Sequence, residues 1–172
     1  MRSKPKSLPA SLFATRGVIK ETVLELERVE SAHPVFQEFI GQLDSFFAEL
    51  NGDSNDFFAP QNKVDGIPTA VLARQEEVYV GCGAFREHGD REVEIKRMFV
   101  RPEFRGTGVA KSVLAELETW ARVLGYERAV LETSEKLPDA VGLYTRCGYQ
   151  VIPKFPPYKD IEQSVCMAKD LR

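Results

Sequence analysis

The run Arg105-Gly106-Thr107-Gly108-Val109-Ala110 combines residue types that could do chemistry at a spacing that would let them do it together. Two glycines two positions apart let the backbone approach a ligand with no Cβ in the way. The apolar spacing that starts at Val109 predicts a helix directly behind them. A helix start carries unsatisfied N–H groups and the positive end of its dipole, so the run would hold an anion. Phosphate is the natural guest, and the Arg105 guanidinium is an added donor. Two better-known phosphate loops do not fit. Lys111 stands where G-x-G-x-x-G needs its third glycine, and the G-x-x-x-x-G-K-[S/T] spacing is absent.

Such a loop works only between elements that fix it. In front, residues 93–100 (V-E-I-K-R-M-F-V) are rich in β-branched, aromatic and large apolar residues with charges interleaved, which predicts a strand with one apolar and one functional face. Pro102 then stops the strand. Behind the loop, Val109, Ala110, Val113, Leu114, Leu117, Trp120, Ala121 and Leu124 recur at helical spacing until Gly125. Residues 127–133 read as a strand that the helical crossover makes parallel to the first. Leu137-Pro138 opens a short helix that runs through Cys147 and stops at Gly148.

Three segments stand in a telling order: E-I-K-R-M-F-V-R-P, then R-G-T-G-V-A, then L-Y-T-R-C-G-Y at residues 143–149. Together they resemble the GNAT acetyltransferases over roughly residues 78 to 170. The resemblance implies an α/β fold, a central mixed parallel and antiparallel sheet flanked by helices. It implies acetyl-CoA as co-substrate, no metal, and an acetyl group passed directly to a primary amine of a small molecule or amino acid. A non-catalytic acyl-CoA sensor and an acetyltransferase acting on peptide or protein amines are the alternatives.

The resemblance also distributes roles. The pyrophosphate falls to Arg105, Gly106, Thr107, Gly108, Val109 and Ala110. The pantetheine and thioester fall to the backbone of Met98, Phe99 and Val100, where the strand splays from its neighbour. Leu137 departs from the asparagine that the family often carries there, so Ser134 or the backbone must supply that contact. Acetyl transfer needs a neutral amine, a polarised carbonyl and a proton for the departing thiolate. Glu94 matches the position of the family's carboxylate base, with Glu92 or a water relay as substitutes, and Tyr144 matches the general acid near the sulfur. Each has a plainer reading. Glu94 shares a strand face with Lys96, and an ion pair would make it a weaker base; Tyr144 could be a core ring.

The remaining chain supplies the frame. Residues 22–29 alternate apolar and charged residues like an edge strand, and Ser31 is the expected cap of a helix over Val35–Leu50 that ends at Asn51-Gly52. Residues 53–68 read as irregular, with Phe57 and Phe58 lining an acceptor pocket. Residues 69–74 and 77–85 predict a hairpin turning at Gln75-Glu76. Gly81 and Gly83 point to a bulge or a close backbone approach. His88 is expected in a solvated turn, with His33 still less functional. Residues 149–152 and 164–169 predict a last antiparallel pair around P-K-F-P-P-Y-K-D, where Phe155 and Tyr158 would wall off a small acceptor.

Composition narrows the function classes. The 172 residues suit a basic extension over residues 1–20 and one domain over residues 21–172. A net charge of −3 argues against nucleic-acid or anionic-membrane partners, and no apolar run approaches the roughly 20 residues of a membrane span. Three cysteines without metal-type spacing predict reduced thiols and a cytoplasmic protein; a homodimer is left open.

Overall fold

A computed structural model describes residues 23–63 and 66–172, so the basic extension expected over residues 1–20 lies outside the described residues. The elements follow as β1 (Leu24–Val29), α1 (Pro34–Asn51), α2 (Asn55–Gln61), β2 (Ala70–Gln75), β3 (Val78–Gly89) and β4 (Glu92–Val100). After these come α3 (Val109–Val123), β5 (Arg128–Ser134), α4 (Pro138–Arg146), β6 (Gln150–Val151) and β7 (Ser164–Asp170). The strands form one sheet in the order β1-β2-β3-β4-β5-β7-β6. Among the described residues only β4 and β5 pair in parallel, as a crossover through α3 requires. This is the mixed α/β architecture that the sequence predicts.

Each face of the sheet carries its own core. On one face the α3 stripe Val109, Val113, Leu114 and Leu117 packs on Val71, Phe85, Val93 and Ile95, with Tyr144 of α4 beside them. On the other, Phe36, Phe39, Ile40 and Leu43 of α1 cover Leu72, Cys82, Ala84 and Phe99. Each large apolar side chain so buried contributes about 1.5–3 kcal/mol. β1 is the sheet edge, and its charged residues Glu25, Glu27 and Arg28 are exposed. Among the described residues no helix is long and apolar enough to cross a membrane.

Several local expectations are corrected. His33, not Ser31, caps α1: its Nδ1 accepts from the Val35 N–H at 3.2 Å, and Pro34 opens the helix. Ser31 is buried, with its backbone N–H donating to the Ile67 carbonyl. The stretch taken as irregular contains a 3₁₀ turn over Gly52–Ser54 and then α2, despite Pro60 inside it. Packing decides here, because Phe58 is buried against Tyr158 and Cys166. The hairpin turns one residue late, with Glu76 at φ 53°. β3 runs on to Gly89, so His88 is a strand residue rather than a turn residue.

The glycines of β3 behave as the sequence suggests. A Cβ on Gly81 would lie 2.8 Å from the Phe99 carbonyl oxygen, and one on Gly83 would lie 2.5 Å from Met98 Sδ and 2.9 Å from Leu117 Cδ1. Gly83→Ala should therefore lower stability by about 1–3 kcal/mol. Urea denaturation measures this, and a neutral result would mean that Met98 and Leu117 can retreat at no cost.

Candidate active site

β4 and β5 pair only over Glu92, Val93 and Glu94, opposite Arg128, Ala129 and Val130. Beyond Glu94 they part. The register between β3 and β4 slips here: Cys82 faces Phe99 and Ala84 faces Lys96, so Arg97 and Met98 together oppose Gly83. Arg97 sits in the left-handed region at φ 59°, as a bulge of this kind demands. Its guanidinium holds Asp44 of α1 at 2.5 Å and the Ile40 carbonyl at 3.4 Å. The result is a wedge of about 120 Å³ lined by Ile95–Met98 of β4, Glu132–Ser134 of β5, Leu137 before α4, Ala140 and Tyr144 of α4, and Leu43, Phe47 and Phe58 of α1 and α2. Backbone groups on the free edge of β4 are released from pairing with β5 and can serve a ligand.

The glycine loop follows the end of β4. Gly106 and Gly108 have φ 76° and 90°, and a Cβ on either would meet nothing within 4 Å, so the loop faces open space. Gly108 is the N-cap of α3 and has no side chain to satisfy the first-turn N–H groups. Arg105 Nε donates to the Val100 carbonyl at 3.1 Å, and Thr107 Oγ1 donates to the Phe104 carbonyl at 2.6 Å. The loop is thereby tied to the strand; the Arg105 N–H donates to the Pro102 carbonyl at 3.2 Å, while the N–H groups of Gly106, Thr107 and Gly108 stay available. This fits a pyrophosphate.

Glu94 lies on the opposite face from α3, and its side chain is 1% exposed. Arg86 donates to Oε2 from Nε at 2.9 Å and from Nη2 at 2.8 Å. Lys96 Nζ donates to Oε1 at 3.2 Å, and the Tyr158 hydroxyl donates to the same oxygen at 3.3 Å. His88 Nδ1 stands 3.8 Å from Oε2, and its ring packs edge-on against Phe155 at 4.7 Å. The expected pair with Lys96 is therefore present, and Glu94 does not line the wedge. Lys96 does. Burial pulls its ammonium below the ordinary lysine value, with Glu94 as the main opposing influence. Burial, and then Glu94, push the Tyr158 phenol up.

Tyr144 reaches the wedge from α4, buried beside Tyr149 at 5.8 Å; burial raises its phenol, so it stays protonated through the neutral range. Ser134 lines the same wedge and accepts from the Lys136 N–H at 3.2 Å. Glu92 is outside it, paired with Arg128 at 3.1 Å. Sequence reasoning missed Glu132, the one carboxylate of β5, which directly follows the apolar run Ala129-Val130-Leu131. It also missed Arg86 and His88, which reach Glu94 only because β3 runs past Phe85.

The family described as "Acetyltransferase (GNAT) family" matches residues 32–149. The chain belongs to the GNAT acetyltransferase family. It is 30% identical over 136 residues to the "IAA acetyltransferase" of Azospirillum brasilense, covering 78% of this chain and 89% of that one. A Klebsiella pneumoniae protein described as an acyl-CoA N-acyltransferase superposes with a TM-score of 0.72 at 30% identity, over 87% of this chain and 99% of that one. A Bacillus subtilis acetyltransferase solved in complex with CoA gives 0.62 at 16% identity, over 87% and 100%, and shows the shared fold. This GNAT protein is thus an acyl-CoA-dependent N-acetyltransferase.

Removing one member of its buried ion cluster should be costly. Glu94→Gln leaves Lys96 and Arg86 without their anion and should lower stability by about 3 kcal/mol in urea denaturation. The triple variant Glu94→Leu, Lys96→Met, Arg86→Leu should recover most of that loss. Equal losses in both would mean that shape, not charge, fills the site.

Proposed function

We propose that this acetyltransferase acts on a primary amine of a small molecule or amino acid. The observation that carries this reading is the wedge itself, which sets two ionisable side chains, Lys96 and Glu132, among Leu43, Phe47, Phe58 and Tyr144 where β4 and β5 have parted. Acetyl-CoA would lay its pyrophosphate on residues 105–110 and run its pantetheine along the free edge of β4. The backbone of Met98, Phe99 and Val100 and the hydroxyl of Ser134 would receive the arm and the thioester carbonyl. α1, α2 and the loop holding Phe155 and Tyr158 bound the acceptor side, which favours a compact amine over an extended peptide.

The roles divide by position. Tyr144 donates to the departing thiolate, because α4 holds its phenol at the wall of the wedge. Glu94 sits one hydrogen bond behind the wall and acts through Lys96 and Tyr158, holding both in place. The deciding experiment is a screen of primary amines against acetyl-CoA, followed by release of free thiol. Thiol release that depends on the amine supports transfer; binding of acetyl-CoA with no consumption across the panel supports the sensor reading instead.

Two variants test the assignments. Gly108→Val puts a branched side chain at φ 90° and should weaken CoA binding at least tenfold in calorimetry while the far-ultraviolet spectrum is unchanged. Tyr144→Phe keeps the ring and removes the donor, so the saturated rate should fall roughly ten- to a thousand-fold with CoA affinity unmoved. An unchanged rate would remove Tyr144 from the mechanism.

A further inference from the structure

We propose that Glu132 of β5, rather than Glu94, is the group that takes the proton from the acceptor nitrogen, an assignment that rests on the acetyl-transfer reading above. Glu132 lies two residues beyond Val130, the last β5 residue paired to β4, so it stands where the strands have already parted. It is a wedge-lining carboxylate, whereas Glu94 is sealed beneath Arg86, Lys96 and Tyr158. Ser164 Oγ donates to Glu132 Oε1 at 2.5 Å and fixes the carboxyl group. Oε2 has no hydrogen-bond partner among the described residues, so one oxygen is held and the other is free to accept.

The surroundings suit a base that works near neutrality. Burial pushes the Glu132 carboxyl up to about 7. The Ser164 hydroxyl and the cations Lys96 of β4 and Lys154 of the proline-rich loop pull it down, and Glu94 pushes it up. Tyr144 of α4, Tyr158 of the loop and Cys166 of β7 also face it, each feeling its charge. A carboxylate balanced in this way is ionised at slightly alkaline pH yet basic enough to accept a proton from the N–H⁺ of a tetrahedral adduct. Glu94 and Lys96 then have a part without touching the acceptor, because they set the field in which Glu132 works.

The step balances with groups already named. The lone pair of the neutral amine forms the C–N bond at the thioester carbon as the C=O π pair moves to oxygen, the adduct nitrogen passes its proton to Glu132 Oε2, and the C=O bond re-forms from the oxyanion as sulfur leaves. The C–S bond breaks with its electron pair moving to sulfur, and the thiolate takes a proton from Tyr144 or water. Glu132 returns its proton to solvent, and where Tyr144 was the donor its phenolate takes a proton back from solvent, so both groups end as they began. Base and acid therefore lie on different elements of one wedge, β5 and α4.

The test uses acetyl-CoA with the best primary amine from the screen, with kcat/KM expressed per neutral amine so that the acceptor's own ionisation drops out. The base works when ionised, so the rate should rise with pH through a midpoint near 7 in the native protein. Glu132→Gln keeps the shape and the Ser164 contact; it should abolish that limb and lower the rate at pH 8 by roughly 10²–10⁴-fold, with CoA affinity unchanged. Ser164→Ala removes a hydrogen bond to the ionised form and should move the midpoint upward, a shift that a merely structural role would not give. A Glu132→Gln enzyme that keeps the limb and comes within threefold of the native rate overturns the assignment while transfer itself stands. A native protein that consumes no acetyl-CoA with any amine overturns the transfer reading and this assignment with it. ¹³C NMR of the Glu132 carboxyl, identified by its loss in Glu132→Gln, gives a readout independent of turnover: a midpoint near the ordinary glutamate value of about 4.3 also overturns it.

Discussion

The parting of β4 from β5 after Glu94 is the constraint on which the rest of this structure depends. Two parallel strands that pair at one end and separate at the other leave a row of backbone donors and acceptors without sheet partners, and a soluble fold keeps such groups only where water or a ligand can satisfy them. The separation is built from both sides. On β4 the bulge of Arg97 and Met98 opposite Gly83 redirects the strand, and the Arg97–Asp44 pair anchors the redirected end to α1. On β5 full pairing with β7 holds the strand on its own course. The bond from Arg105 to Val100 then fixes the glycine loop to the end of the diverted strand, so the distance between loop and wedge does not drift.

Charge is partitioned across the same feature. The face under α3 is apolar from Val93 to Val113, while the opposite face places Arg86, Glu94, Lys96 and Glu132 close together under a short, aromatic-rich loop. Burial of this many ions is tolerable only because each is answered by another or by a hydroxyl. Lys154 tightens the cover by donating to the carbonyls of Ile161 at 2.6 Å and Glu162 at 2.9 Å. The cluster is thus weak evidence for stability and stronger evidence for a site, since perturbed ionisable groups gather where chemistry is done.

Much of this was legible in the sequence because its signals are local. The loop from Arg105 to Ala110, the α3 stripe, the parallel crossover and the short helix carrying Tyr144 are all written in spacing within a few turns of chain, and the two glycines of β3 announced the bulge opposite them. The pair of Glu94 with Lys96 followed from the two-residue period of a strand. What was not legible depends on partners far apart in the chain. Glu132 becomes notable only when Ser164 and Lys96 are brought to it from β7 and β4, and Tyr158 only when its loop folds over β4. α2 was missed because its sequence contains Pro60 and its reason to be helical is the burial of Phe58. The cap was misplaced because His33 supplies through Nδ1 what serine usually supplies through a hydroxyl.

The order of the last strands has a bearing on how the protein is made. β7 follows β6 in the chain but inserts between β5 and β6, with the proline-rich loop joining β6 to β7. During synthesis β1 to β4 can pair as they emerge, each against the strand just before it. β5 cannot be completed in this way. Its outer edge stays open while α4, β6 and the loop are still being translated, and it closes only when β7 slots in. That insertion also brings Ser164 to Glu132 and lowers Tyr158 onto Glu94. A nascent chain therefore reaches sheet closure and the fixing of the Glu132 carboxyl by Ser164 in one event.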